Sequence, residues 1–192
     1  MKILLAHNYY ASSSPSGEDV VFEAESDLLK RNGHNVSEYV KRMGSGGITS
    51  LAKGAANLLW STSSYRDIKS ILSKDKYEIA HFHNIYPFLS PSAYKACHDS
   101  GVPVVQTLHN YRMVCANGML LDKAGQCEVC LQTHNFRNAI KKGCYRNSRV
   151  ASIPVALMQY VYEGKWARYV DTFIALTESG RAKHIESGLP NN

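Results

Sequence analysis

The sequence predicts an α/β domain in which a doubly wound parallel sheet carries helices on both faces. Short continuous apolar runs, typical of buried parallel strands, alternate with longer segments whose apolar residues recur at helical spacing. The chain has 192 residues, 44% hydrophobic and 20% charged, which suits one sizeable core. No apolar stretch approaches the roughly 20 residues of a membrane span, and no secretory signal is visible.

Five segments have the apolar, β-branched character of strands. In chain order they are Lys2–His7, His34–Val40, Tyr77–His83, Val102–His109 and Asp171–Thr177. Most are continuous rather than alternating, which indicates burial on both faces of the sheet and therefore a Rossmann-like arrangement.

Six segments between and after these strands are predicted to be helices. They are Glu18–Gly33, Ile48–Trp60, Ser64–Lys74, Ser90–Gly101, Arg149–Val170 and Glu178–Gly188. The first of them has a regular apolar pattern, since Val20, Val21, Ala24, Leu28 and Leu29 fall at helical spacing before a terminating glycine.

Three of the predicted strands end in a His-Asn pair, within the stretches AHNYY, HFHNIYP and TLHNYR. Ligands of open parallel sheets bind at the carboxyl ends of the strands. Imidazole and amide groups there would suit a hydroxyl-rich or phosphorylated ligand, although any one of these histidines could be a satisfied core residue. The predicted pocket residues are His7, Asn8, His81, His83, Asn84, His109 and Asn110.

The first loop, Asn8–Asp19, contains a single glycine, Gly17. The G-x-G-x-x-G fingerprint is absent, which excludes NAD or FAD binding by the usual loop. Gly17 comes at a predicted helix N-terminus, where N–H groups favour an anion. The alternative is that Ser16, Glu18 and Asp19 simply cap the helix.

The chain is basic, with 22 Lys and Arg against 16 Asp and Glu, a net charge of +6 and a pI of about 9.0. Such a charge suits phosphorylated ligands, an anionic membrane or nucleic acid, or else a solvated surface. A recognisable nucleic-acid motif is missing, so a nucleic-acid module is kept only as an alternative. Many basic residues cluster late in the chain, at Arg112, Lys123, Arg137, Lys141, Lys142, Arg146 and Arg149.

Four cysteines follow the fourth strand with the spacing C-x11-C-x2-C-x13-C, at Cys115, Cys127, Cys130 and Cys144. A C-x2-C knuckle with two flanking cysteines predicts a structural zinc ion in a cysteine-rich insertion at about 111–147, a segment expected to bury little. Unligated thiols and an iron–sulfur cluster are the alternatives. His134 could replace one ligand, and Cys97 is predicted to be plain core.

The stretches AHFHNIYPFLSPSAYKACHDSGVPVVQTLHNYRMVCANG, CEVCL…GCYRNSR and DTFIALTESGRAKHIESGLP resemble the N-terminal domain of a retaining glycosyltransferase of family 4, which has the GT-B fold. The resemblance implies that residues 1–192 form an acceptor-binding domain. His109 would be the active-site histidine beside the transferred sugar. Gly17 and Glu18 would belong to the glycine loop, where the family has two adjacent glycines, and 81–84 would line the acceptor side.

The same resemblance implies that a second domain, with the family's E-x7-E pair, binds the nucleotide-sugar donor. The chain ends at SGLPNN, where such enzymes turn into a linker, so we expect a fragment, a truncated product or half of a two-chain enzyme. The expected partner is a saccharide or lipid-linked acceptor, used in the cytoplasm or peripherally at the inner face of an anionic membrane. A Rossmann-like small-molecule binder without transfer activity is a further alternative.

Overall fold

A computed structural model describes residues 1–9, 15–42 and 55–191 of the chain. The chain forms two compact units. Unit 1 comprises Met1–Thr107 with Tyr169–Ile174, and unit 2 comprises Leu108–Arg168 with Ala175–Asn192.

Unit 1 is built on a five-stranded sheet. Its strands are β1 (Lys2–Tyr9), β2 (Asn35–Arg42), β3 (Ile79–Asn84), β4 (Val104–Leu108) and β7 (Thr172–Ala175). They lie in the order β2-β1-β3-β4-β7, and the pairs β1/β2, β1/β3 and β3/β4 are parallel. This confirms the predicted α/β architecture with a Rossmann-like parallel sheet.

Helices cover both faces of this sheet, which explains why β1 is buried almost throughout. Helix α1 (Gly17–Arg31) packs on β1, β2 and β3, and helix α2 (Thr62–Leu72) packs against α3 (Ser92–His98). Tyr94 of α3 meets Phe82 of β3 edge-on, with ring centroids 4.9 Å apart. Because neighbouring residues of a strand point to opposite faces, α3 lies on the face opposite to that of His81 and His83.

The predicted helix Ile48–Trp60 is described only from residue 55, and residues 55–59 are helical. Its earlier part lies outside the described residues.

Helix α1 begins at a capping box. Ser16 Oγ accepts the Asp19 N–H (3.3 Å), and Asp19 Oδ2 accepts the Ser16 N–H (2.7 Å). This pairing satisfies N–H groups that the first helical turn leaves without partners.

Most of the apolar residues that predicted α1 do not belong to its buried face, the exception being the partly buried Leu29. Val20 and Leu28 are 54% and 60% exposed, whereas Asp19, Phe22 and Ser26 are buried. The strands beneath α1 carry histidines as well as apolar residues, so the helix turns carboxylates toward them. Its apolar contribution to the core comes from the buried Phe22, which packs with Ile3, Leu5 and Tyr9, and from the partly buried Leu29.

Unit 2 contains a two-stranded hairpin and four helices among its described residues. These are β5 (Leu121–Asp122), β6 (Gly125–Gln126), α4 (Val129–Thr133), α5 (Arg137–Lys142), α6 (Arg149–Tyr162) and α7 (Glu178–Glu186). Helix α5 packs against α6, and a 3-10 turn at Trp166–Arg168 follows.

The expectation that the cysteine-rich segment buries little is wrong. Leu120, Leu131, Phe136 and Ala139 are all at most 6% exposed. Helix α6 also buries Val155, Ala156 and Met158, so unit 2 has an apolar interior of its own. No helix in the described parts of either unit is long and apolar enough to cross a bilayer.

Candidate functional site

The strand order of unit 1 reverses between β1 and β3. The chain passes from β1 to β2 on one side and then to β3 on the other. In sheets of this order, ligands bind outside the carboxyl ends of the strands at the reversal. The predicted residues His7, Asn8, His83 and Asn84 lie at these ends, and His7 is the register partner of Asn84.

The three histidines of these strands are enclosed beneath α1 and paired with its carboxylates. His7 Nε2 lies 2.7 Å from Asp19 Oδ1. His81 Nδ1 lies 2.6 Å from Glu25 Oε1, and His83 Nε2 lies 3.3 Å from Glu25 Oε2. We call these five residues the imidazole–carboxylate cluster.

The rings of this cluster form a continuous chain. The His7 and His83 centroids are 6.3 Å apart, and those of His81 and His83 are 4.6 Å apart. Phe22 stacks on His7 at 4.9 Å and meets His83 edge-on at 5.5 Å. The side chains of His7 and His83 are fully buried, whereas those of His81 and Glu25 are 10% and 26% exposed. The cluster therefore opens to solvent at the Glu25–His81 end.

Burial and pairing fix the charges of the cluster. Burial lowers the pKa of His7, because desolvation outweighs the hydrogen bond with Asp19. Burial acts to raise the pKa of Glu25, but the hydrogen bonds with His81 and His83 outweigh it and bring the pKa to about 2. The pKa of Asp19 is lowered in the same way, by its bonds with His7 and Ser16. Near neutral pH both carboxylates are ionised and His7 is neutral.

The open end of the cluster has the donor set of a metal site. One ligand atom each from Glu25, His81 and His83 lies within 4.8 Å of the other two. His81 Nε2 lies 2.8 Å from Thr107 Oγ1, a contact that would orient the ring as outer-shell partners of metal ligands do. Two imidazoles and a carboxylate suit a divalent cation such as zinc.

Sequence reasoning missed Asp19 as a partner of His7 and missed Glu25 altogether. A signal was present, because Asp19, Phe22 and Glu25 recur every three residues and share one side of α1. The stronger apolar pattern on the other side of the helix concealed it.

The two asparagines of unit 1 that were predicted to line a pocket, Asn8 and Asn84, form hydrogen bonds with the backbone. Asn8 Oδ1 accepts the Phe88 N–H (3.2 Å), and Asn84 Oδ1 accepts the Tyr86 N–H (2.9 Å). Asn84 Nδ2 donates to the Asn8 carbonyl (2.9 Å). These amides shape the segment after β3, so they position the site.

Gly17 is the first residue of α1, and a Cβ there would meet no atom within 4 Å. The capping of α1 by Ser16 and Asp19, named as the alternative to anion binding, is present as a capping box, and Glu18 lies in the same first turn. Residues 10–14 of the preceding loop lie outside the described residues, and anion binding at Gly17 stays a prediction.

His109 and Asn110 lie in unit 2, directly after β4, and both are partly buried. Asn110 Oδ1 accepts the Arg112 N–H (2.9 Å). A pocket shared by His109 with His7 and His83 stays a prediction.

The four predicted metal-binding cysteines line a single small cavity in unit 2, and all are free thiols. Burial, together with the other three thiols, raises the pKa of Cys130 to about 11. His134, the alternative ligand, instead pairs with Glu163, with Nδ1 2.5 Å from Oε1. Cys97 is buried in α3, as predicted, and burial raises its pKa to about 12.

No protein-family model matches this chain, and a search of curated proteins finds no significant match.

Proposed function

We propose that this chain is the acceptor-binding part of a retaining GT-B glycosyltransferase. The enzyme would transfer a sugar from a nucleotide-sugar donor to a saccharide or lipid-linked acceptor during synthesis of a cell-surface polysaccharide. The observation that carries the proposal is the strand-order reversal of unit 1, where imidazole and amide groups occupy the carboxyl ends of β1 and β3. The family resemblance of the sequence supports the same reading.

In this proposal the donor is bound mainly by a second domain, which supplies the contacts that stabilise the leaving diphosphate. His109, at the end of β4, positions the donor sugar through a hydrogen bond that strengthens in the transition state. The cluster beneath α1 holds the ends of β1 and β3 in place.

The exposed face of helix α6 favours the proposal that the acceptor is lipid-linked. Val150, Ile153, Leu157 and Tyr160 are 76%, 47%, 45% and 68% exposed and recur at helical spacing. Residues 111–168 also carry nine Lys and Arg against three Asp and Glu. An exposed apolar stripe in a basic segment suits peripheral binding at an anionic membrane surface.

The test of transfer uses the chain alone and the chain joined to a GT-B donor domain, each supplied with radiolabelled nucleotide sugars and polyprenyl-phosphate-linked saccharides. We expect product only from the joined protein. His109→Ala should lower kcat by about 10²-fold while changing KM less, because the lost interaction acts mainly in the transition state. His98→Ala, at an exposed histidine of unit 1, is the matched control. Transfer by the chain alone would contradict this division of roles.

The membrane part of the proposal is tested by co-sedimentation with vesicles of phosphatidylglycerol or of phosphatidylcholine. We expect binding to the anionic vesicles only, lost in Leu157→Glu and retained in Val20→Glu, since Val20 is an exposed apolar residue of unit 1. Equal binding of both variants would show that α6 does not contact the membrane.

A second candidate is a small-molecule binder without transfer activity. It is favoured by the enclosure of His7 and His83, whose pairing with α1 leaves them little access to a substrate. Ligand-induced thermal stabilisation by saccharides, with no turnover even in the joined protein, would identify this function.

A further inference from the structure

Four cysteines reach one cavity of unit 2 from four separate places in the chain. Cys115 lies in the turns after β4, Cys127 follows β6, Cys130 is in α4 and Cys144 follows α5. These places are spread over 30 residues of sequence, from 115 to 144. Their convergence is a property of the fold and not of local spacing alone.

The cavity is small and otherwise largely apolar. Its volume is about 10 Å³, which is room for a single ion or water. Besides the thiols, its lining includes Ala116, Leu120, Val129 and Ala139. Asn138 and Lys142 also line it, but the four thiols are the groups that can supply soft ligands to a metal ion.

We propose that unit 2 binds one structural Zn²⁺ ion through Cys115, Cys127, Cys130 and Cys144. Four thiolates make a closed tetrahedral site, which leaves no position for a substrate and is typical of structural zinc. Binding releases the four thiol protons to solvent and leaves the site with a net charge of about −2. This inference goes beyond the proposed function, and neither depends on the other.

The surroundings of the thiols fit such a site. Lys142 Nζ lies 3.3 Å from Cys127 Sγ and 2.7 Å from Asp122 Oδ2, so a cation already stands beside the cysteines to offset negative charge. Gly143 has φ +65°, and a Cβ there would come within 3.3 Å of the Arg149 nitrogen. A left-handed glycine therefore turns the chain from α5 into Cys144.

An ion here would also explain how this part of unit 2 is stabilised. Helices α4 and α5 have five and six residues, and each strand of the hairpin has two. Helices this short are marginal by themselves in water. A zinc ion would cross-link the hairpin, α4 and the end of α5 in one step.

The competing metal site is in unit 1. Among the described residues, Glu25, His81 and His83 have three ligand atoms that all lie within 4.8 Å of one another. The four cysteines do not meet this spacing. The thiols would have to close around an ion by side-chain rotation. The experiment must therefore distinguish the two sites.

The full chain, purified in reducing buffer without chelators, is examined by elemental analysis. We expect about one zinc ion per chain, retained in Glu25→Gln and in Cys97→Ser. Cys127→Ser and Cys130→Ser should each lower the zinc content by about tenfold or more, since each removes a ligand. Zinc that survives both cysteine substitutions and is lost in Glu25→Gln would overturn the proposal in favour of the unit 1 cluster.

A second measurement uses the native chain, so it tests the proposal even if the cysteine variants fail to fold. Co²⁺ replacing zinc in the native chain should give the sulfur-to-cobalt charge-transfer and tetrahedral d–d bands of a four-thiolate site. The four thiols should react with a thiol reagent only after a chelator is added. Free reaction of all four without chelator, a mass showing disulfides, or the absorption of an iron–sulfur cluster would each overturn the proposal.

Discussion

Acidification is predicted to loosen unit 2 through His184 of α7. This side chain is 3% exposed and stacks on Tyr111, with ring centroids 5.3 Å apart. Burial outweighs a hydrogen bond with the backbone of Asn110 and lowers the pKa of His184 to about 4. Burial therefore favours the neutral form of His184 in folded unit 2, beside the segment that contains Asn110 and Tyr111.

The direction in which pH changes the stability of unit 2 follows from proton binding. Because the folded pKa lies below the unfolded value of about 6.5, the unfolded chain binds more protons between the two values. The stability that His184 contributes is fully present above about pH 6.5 and is lost as the pH falls toward about 4. With these two pKa values, His184 destabilises unit 2 by about 2 kcal/mol at pH 5 relative to pH 7.5.

The two tryptophans allow unit 2 to be followed by itself. Trp166 is buried in unit 2, whereas Trp60 is in unit 1, so Trp60→Phe leaves one indole that reports on unit 2. Urea unfolding of this protein and of its His184→Gln variant is measured by fluorescence at about pH 7.5 and about pH 5.

In His184→Gln the loss of stability on acidification should shrink by about 2 kcal/mol, because contributions from other groups cancel between the two proteins. His98→Gln, at an exposed histidine of unit 1, should leave the loss unchanged. The reasoning is refuted if His184→Gln loses as much stability on acidification as its parent.

Five further substitutions, at four positions, test the packing. Asp19→Ala should destabilise unit 1 by about 3 kcal/mol in urea, since it removes the helix cap and a buried partner of His7, and Asp19→Asn should cost less. Phe22→Ala should cost about 3–4 kcal/mol, because the ring is 1% exposed. Gly143→Ala should lower the melting temperature by the equivalent of about 1 kcal/mol, whereas Gly17→Ala, at an open site with an ordinary φ, should be neutral or stabilising.

The sheet of unit 1 was predictable because its signals are local. A short continuous apolar run such as Lys2–His7 indicates a strand buried on both faces, and the structure places β1 at Lys2–Tyr9. Boundaries shift where hydrogen bonding continues past the apolar residues, as at Arg42, the end of β2. The strand order was not predicted, since it depends on contacts between distant segments.

The buried face of α1 could not be obtained from hydrophobicity. Val20 and Leu28 satisfy helical spacing and yet are exposed, because the side chains beneath α1 include three histidines that require carboxylates. A polar layer selects its partners by charge and hydrogen bonding, which an apolar pattern does not register. The interior of unit 2 could not be predicted for a related reason. Leu131, in a helix of five residues, and Phe136, directly before α5, are buried singly and form no periodic apolar pattern.

The two ends of the imidazole–carboxylate cluster have different consequences for function. His7 and Asp19 are enclosed, and Asp19 is also tied to the cap of α1, so this pair holds the helix against the sheet. Glu25 is partly exposed, so its ionised carboxylate lies near solvent beside the His81 ring. A hydroxyl group or a cation that reaches the cluster meets this end first. Substitution of Asp19 should therefore lower the stability of unit 1, whereas substitution of Glu25 should weaken ligand binding.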